Sequence, residues 1–387
     1  MAATSATQKL ISSLDPRRAA DLCRDLLATA DIKVGGDRPW DMQVHDERIW
    51  TRILRDGTLA VGETYMEGWW DVPALDQFVD KAMRVQLGNT LRDNWMVVPH
   101  VLRARVMNLQ SIRRAFGSAQ QHYDIGNELY EAMLDKRMLY TCALYEDGAK
   151  TLEEAQEAKL ALVCKKIGLE KGMRVLDLGC GWGGFSAFAA ERYGAKVTAY
   201  TVAEEQVKFI RERYGHLSID CRLDDYRKAT GTYDAVVSIG LMEHVGPKNY
   251  RGYMELVQRT LAPQGVAFIH TIGGNRARAH IDPWFDKYIF PNSCLPTLAH
   301  LITAMEGLFI PEDVHNIGAD YDHTLMAWWK NFDEAWPRLR DRYGDAFYRM
   351  WKFYLLASAG AFRCRGQQLF QIVMTRMGTP CPPGRRG

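Results

Sequence analysis

Residues 174–178 are a short apolar run that leads into Asp177-Leu178-Gly179-Cys180-Gly181-Trp182-Gly183-Gly184, and an alanine-rich stretch follows at 185–193. A buried strand, a glycine-rich turn and a helix in that order are the opening βα unit of a parallel α/β sheet. Glycines in such a turn let the backbone bend sharply and approach a ligand that a Cβ would exclude. Gly179, Gly181 and Gly184 also satisfy GxGxxG, a pattern too weak to choose a ligand by itself. A dinucleotide site wants an acidic residue at the tip of the second strand, but that strand, 196–201, ends in Thr201. Glu204 lies near enough that spacing alone does not exclude a dinucleotide. The residues favour a methyl-donor site, with a dinucleotide site and a structural tight turn left as alternatives.

The same rhythm continues downstream. Thr151 and Glu154 make a capping box, and Lys165, Lys166 and Gly168 close the helix it starts. Helices at 185–193 and 204–214 alternate with strands at 174–178, 196–201, 219–223, 235–239 and 266–271. That alternation predicts a sheet covered on both faces. Asp225 follows the third strand and can accept from an adenine amino group, with Tyr226 as a stacking face; the plainer reading is a loop aspartate held by Arg227. Residues 278–311 interrupt the rhythm with Trp284, Phe285, Tyr288 and Phe290 and are expected to form a lid or helical cap. The apolar run 369–375 is expected to return as an edge strand.

The first part of the chain has a different character. Helices are expected at 17–30 and 76–87, with a glycine-punctuated, strand-like segment at 32–70 between them. Residues 101–116 are amphipathic and basic, either a solvated linker helix or one that meets a phosphate-bearing surface. We place a domain boundary at 112/113. Lys plus Arg total 49 against 47 for Asp plus Glu, so nothing global points to nucleic acid. No stretch approaches the roughly 20 apolar residues that span a bilayer, and no signal-peptide core is present, so a cytoplasmic location is expected. The eight cysteines show no CxxC spacing, which argues against a zinc ribbon or a disulfide framework. His315 and His323 beside Asp320 and Asp322 match no compact ligand pair, and no metal is expected.

Several further segments, taken together, resemble the bacterial cyclopropane-fatty-acyl-phospholipid synthases over nearly the full chain. They are Gly62-Glu63-Thr64-Tyr65-Met66-Glu67-Gly68-Trp69-Trp70, His122-Tyr123-Asp124-Ile125-Gly126-Asn127, Tyr140-Thr141-Cys142-Ala143, Glu243-His244-Val245-Gly246-Pro247-Lys248-Asn249-Tyr250 and His270-Thr271-Ile272-Gly273. Phe290-Pro291-Asn292-Ser293-Cys294-Leu295-Pro296 and Gly318-Ala319-Asp320-Tyr321-Asp322 complete the set. The resemblance implies a Rossmann-like class I methyltransferase with a seven-stranded sheet (residues 113–387). It also implies a smaller N-terminal α+β domain (1–112) that engages lipid without taking part in catalysis, and a homodimer on the inner face of the membrane. For S-adenosylmethionine it implies Asp177, Gly179, Gly181, Gly183 and Gly184 at the methionine part. Thr201 and Gln206 fall on the ribose side, with Asp225 and Tyr226 beyond, and Tyr123, Tyr140 and Thr141 on a closing loop.

The implied reaction makes its own demands. An isolated cis double bond of a phospholipid acyl chain attacks a sulfonium methyl only if the two are held in line and dry. The product is a carbocation, and ring closure requires a proton to leave the new methyl group. Aromatic faces stabilise the cation; Tyr123, Tyr140, Trp284, Tyr288, Tyr321 and Trp328 are candidates, each of them equally at home in a core. For the base, the resemblance implies a bound bicarbonate held by Cys142, Glu243, His270, Tyr321 and the backbone of Ile272. Some relatives carry a cysteine where this chain has Ser358, so a thiol there is not part of the expected chemistry. The competing functions are methyl transfer to another lipid or a small amine without ring closure, and lipid binding without catalysis.

Overall fold

The computed structural model describes residues 15–87, 126–145, 148–278, 280–380 and 382. They form two compact units, one within Met1–Met107, Ala279–Pro291 and Trp328–Gly366, the other within Asn108–Arg278, Asn292–Ala327 and Gln367–Gly387. The expected boundary at 112/113 and the basic segment 101–116 lie outside the described residues.

In the first unit, Asp15 caps the helix Pro16–Thr29 by accepting from the Arg17 N–H, with proline at the first helical position where its missing donor costs nothing. Residues 32–70, expected to hold short strand-like runs, are irregular up to residue 48 and helical over most of 49–66. Ile49–Asp56 buries Ile49, Trp50, Ile53 and Leu54 at a helical period, and Thr58–Met66 follows after Gly57 at φ +62°. The glycine that read as strand punctuation is a break between two short helices. β1 (Gln43–Val44) and β2 (Trp70–Asp71) pair there, antiparallel, beside a single parallel bridge between Val34 and Met42. The helix Leu75–Arg84 packs against Asp345–Arg363 so closely that a Cβ on Gly360 would lie 2.4 Å from the Asp76 carbonyl oxygen. Arg349 donates to the carbonyls of Tyr65 and Trp70 and to the Asp71 carboxylate.

The second unit holds the sheet. Its strands are β3 (Arg174–Leu178), β4 (Lys196–Thr201), β5 (Ile219–Leu223), β6 (Tyr233–Ile239), β7 (Leu261–Gly274), β8 (Ile310–Asn316) and β9 (Gln367–Thr375). They lie in the order β5-β4-β3-β6-β7-β9-β8. The first five are parallel; β9 runs antiparallel to β7 and β8. Leu176, Leu178, Val236 and Ile269 point into one core layer with Tyr253, Met254 and Val257, while Val175, Val237 and Phe268 point into the other with Val163, Phe185 and Phe188. Two apolar faces are what a sheet with helices on both sides requires. The run expected to be an edge strand is interior: all of β9 after Gln367 is buried. The edge is β8, exposed at Ile310, Pro311, Val314 and Asn316 and drawn partly from the expected lid. Among the described residues no helix is long and apolar enough to cross a membrane.

Candidate active site

Strand order reverses at β3, whose neighbours are β4 on one side and β6 on the other. In an open parallel sheet that reversal leaves a crevice beyond the carboxyl ends of the strands. The turn after β3 enters it. Gly179 and Cys180 both donate to the Tyr200 carbonyl, which folds the chain back over the end of β4. Gly181 sits at φ +54° with nothing within 4 Å of where a Cβ would project, an open length of backbone. Gly184, at the start of the helix Gly184–Tyr193, lies under the Arg137 carbonyl, 2.6 Å from a would-be Cβ. Asp177 is buried and accepts from the Ser186 hydroxyl at 2.6 Å; burial pushes its carboxyl up to about 7.

The neighbouring strand ends supply the rest of this side. Thr201 closes β4 and donates to Gln206 Oε1 at 2.5 Å, leaving the buried Gln206 Nε2 without a partner. An unmatched buried amide donor is costly unless something binds it, so Gln206 and the bare backbone at Gly181 fit a polar donor molecule. Asp225 follows β5 and accepts from the Arg227 backbone, with Arg227 Nε 2.9 Å away. The arginine-held reading of Asp225 is therefore the arrangement present. Tyr226 is 9% exposed and meets Tyr253 edge-on, so most of its ring is spent on core packing. Tyr140 is half-buried, edge-on to Tyr130, and Tyr130 also meets Trp182. Tyr123 lies outside the described residues.

Beyond β6 the chain turns at Gly240, whose N–H donates to the His270 carbonyl, and then forms the short helix Met242–Val245. That turn aims Glu243 at β7, where its Oε1 accepts from the Ile272 N–H at 2.6 Å. Among the described residues no group lies in hydrogen-bond geometry with its other, buried oxygen, and desolvation, partly offset by the Ile272 N–H and the neighbouring Thr271, pushes the carboxyl up to about 7. His270, two residues earlier on β7, shares the face of Ile272. Its Nδ1 lies 3.4 Å from the amide of Gln371, its register partner on β9. In the tautomer that lets this amide donate to Nδ1, the ring keeps its proton on Nε2, a buried donor with no partner among the described residues. Burial, reinforced by Lys159 and Lys166, holds the imidazole pKa well below its ordinary value. Of the Ile272 backbone, expected to meet the anion, the N–H is taken up by Glu243.

Cys142 is fully buried, its thiol 3.2 Å from the Ala143 carbonyl, and burial pushes its pKa well up. The adjacent Ala143 N–H donates to Thr324, one turn along the helix Asp320–Tyr343 from the buried Tyr321. Trp284, Tyr288 and Trp328 belong to the first unit. There Trp284 is fully buried over Gly62 and Tyr288 donates to Glu63, roles in packing.

Comparisons with known proteins fit this geometry. The family model for mycolic acid cyclopropane synthetase matches residues 110–372. The chain belongs to that family. It is 45% identical to the cyclopropane-fatty-acyl-phospholipid synthase of Escherichia coli K12 over 355 residues, 92% of this chain and 93% of that one. Mycolic acid cyclopropane synthase CmaA1, solved with SAH and CTAB, matches with TM-score 0.64 and 27% identity over 67% of this chain and 98% of its own. Coclaurine N-methyltransferase, at TM-score 0.68 and 20% identity over 82% of this chain and 99% of its own, shares the fold. The cyclopropane synthetase fold is thus that of the S-adenosylmethionine-dependent methyltransferases.

Two features of this family member escaped the reading of its sequence. Lys159 and Gln156 reach from the helix Leu152–Lys166 to the segment carrying Tyr140 and Thr141. Their signal was present: Ala155, Lys159 and Val163 lie on one helical stripe, and a charge amid apolar neighbours is an anomaly there. Gln371 was hidden in an apolar strand.

Proposed function

We propose that this chain is a cyclopropane-fatty-acyl-phospholipid synthase that acts on the cis double bonds of phospholipid acyl chains. When bound, S-adenosylmethionine supplies an electrophilic methyl group and bicarbonate supplies the base that removes a proton from it. The turn Gly179–Gly184 with Thr201 and Gln206 would hold the donor, through bare backbone at Gly181 and the unmatched amide of Gln206. Glu243 and His270 would hold the small anion: His270 Nε2 donates, and the free Glu243 oxygen takes the anion's own proton. Tyr321 and Cys142 border that space from the helix Asp320–Tyr343 and the 140–144 segment. A neutral His270 can accept from the Gln371 amide at Nδ1 while its Nε2 donates to the anion.

The observation that carries the reading is the pair of unpartnered buried atoms, Glu243 Oε2 and His270 Nε2, set at the β6 and β7 ends of the crevice. A carboxylate alone would risk alkylation; a carboxylate that orients a small anion does not act as the nucleophile. The enzyme is proposed to work as a homodimer at the inner membrane surface, reaching lipid from the water side. The test is incubation with methyl-labelled donor and vesicles of monounsaturated phospholipid, with and without added bicarbonate. Label should enter the acyl chain with loss of the alkene signal. Glu243→Ala should reduce turnover about 100-fold or more while donor binding by calorimetry stays within about threefold. Label appearing as an N-methyl group, or a full rate from the variant, would refute the assignment.

A further inference from the structure

Lys159 is fully buried in the helix Leu152–Lys166, and its Nζ donates to Thr141 Oγ1 at 2.9 Å. Among the described residues no carboxylate pairs with it directly. Asp135 is near enough to be felt, but its two oxygens already accept from the Arg137 and Leu139 N–H groups. A neutral hydroxyl does not compensate a buried ammonium, so among the described residues this cation has no carboxylate in direct contact, only the field of Asp135. Nor is it needed to fasten the segment beside it. Gln156, one turn earlier, donates to the Leu139 and Thr141 carbonyls and does that already.

The position of the charge gives it a use. Thr141 adjoins Cys142, and its Cγ2 lies 3.0 Å from where a Cβ would stand on Gly240, the residue bonded to the His270 carbonyl. Lys159 is felt electrostatically at both Cys142 and His270. We propose that Lys159 is a positioning residue whose ammonium, anchored on Thr141, supplies the positive potential that draws a small oxyanion into the space between Glu243 and His270. This rests on the bicarbonate reading above and adds the residue that makes such an anion bind. Without it, an anion would enter a buried site whose assigned groups carry no positive charge: a neutral imidazole, a thiol, a phenol and a carboxyl that is repulsive once ionised. Burial lowers the Lys159 pKa to about 8, and a neighbouring anion opposes that shift and favours the charged form.

The test uses the full chain in carbonate-stripped buffer, with labelled donor, unsaturated phospholipid vesicles and a bicarbonate titration. The wild type should be activated with a definite half-saturating bicarbonate concentration. Lys159→Met, nearly the same length without charge, should raise that concentration about tenfold. Its rate at saturating bicarbonate and its donor affinity should remain within about threefold, and Lys159→Arg should restore tighter bicarbonate binding. A Lys159→Met enzyme that loses rate at unchanged half-saturation would overturn the proposal, since a purely structural lysine behaves that way. A wild type indifferent to bicarbonate would strike down the underlying reading, and this inference with it, before any variant is compared. If circular dichroism shows Lys159→Met unfolded, Lys159→Gln, neutral but still able to donate to Thr141, takes its place and should likewise raise half-saturation about tenfold; no change would refute the role.

Discussion

Glu243 is a carboxylic acid that folding moves to a place where it is reluctant to ionise. In the unfolded chain it titrates near its ordinary value of 4.5, and burial raises that to about 7. Below the lower value both states are protonated and the position costs nothing. Between the two, the unfolded chain ionises while the folded one holds its proton, so stability is lost as pH rises. Above the upper value the loss is complete. Glu243→Gln should therefore match the wild type at pH 4.5 and exceed it by about 3 kcal/mol at pH 8, read by urea denaturation without ligands. Equal stabilities across that range would show that Glu243 is not strained by burial. Glu243 was legible from the family-like segment around it. The partners of the site were less so, because Lys159 meets Thr141 across 18 residues and Gln371 meets His270 across 101.

At the scale of elements, the site is a set of strand ends. Leu178, Thr201, Leu223 and Ile239 close β3, β4, β5 and β6, and each is followed within a few residues by a group assigned to binding or catalysis. Alternation of apolar strands with amphipathic helices is a local property, so these ends were readable from the sequence nearly to the residue. The capping box at Thr151 and Glu154 is present with both of its arms. Close approach is a different matter. Gly184 does not have a left-handed backbone; it is required because the Arg137 carbonyl and the Leu139 side chain lie 2.6 and 2.8 Å from a would-be Cβ. Gly184→Ala must push the 137–139 turn outward, at about 1–3 kcal/mol, and with it the Tyr140 and Thr141 segment. Donor affinity by calorimetry should fall about tenfold or more, whereas Gly172→Ala, which unlike Gly184 is at positive φ and has open space around its Cβ position, should lose stability without that loss of affinity.

The whole molecule is not divided by a single cut. The first unit draws on residues near the amino terminus and on two later stretches, and its contacts show why those are needed. Trp284 covers Gly62, Gly360 lies against Asp76, and Arg349 binds the carbonyls of Tyr65 and Trp70. A fragment ending at residue 112 would leave Tyr65 without Phe353 and Arg349, Gly62 without Trp284, and the buried Asp76 carboxylate without Arg363. It should show no cooperative thermal transition by circular dichroism, in contrast to the intact chain; a sharp transition in the fragment would mean that this segment carries its own core. The sequence by itself determined the βα order, the glycine turn, the helix caps and the strand ends, because periodicity and backbone freedom act over a few residues. Tertiary structure alone decided that β9 enters between β7 and β8, that the second half of the early glycine-punctuated segment is helical, and that Lys159 and Glu243 are buried. Strand neighbours and dielectric surroundings are set by residues far apart in the chain, and no short window of sequence contains both members of such a pair.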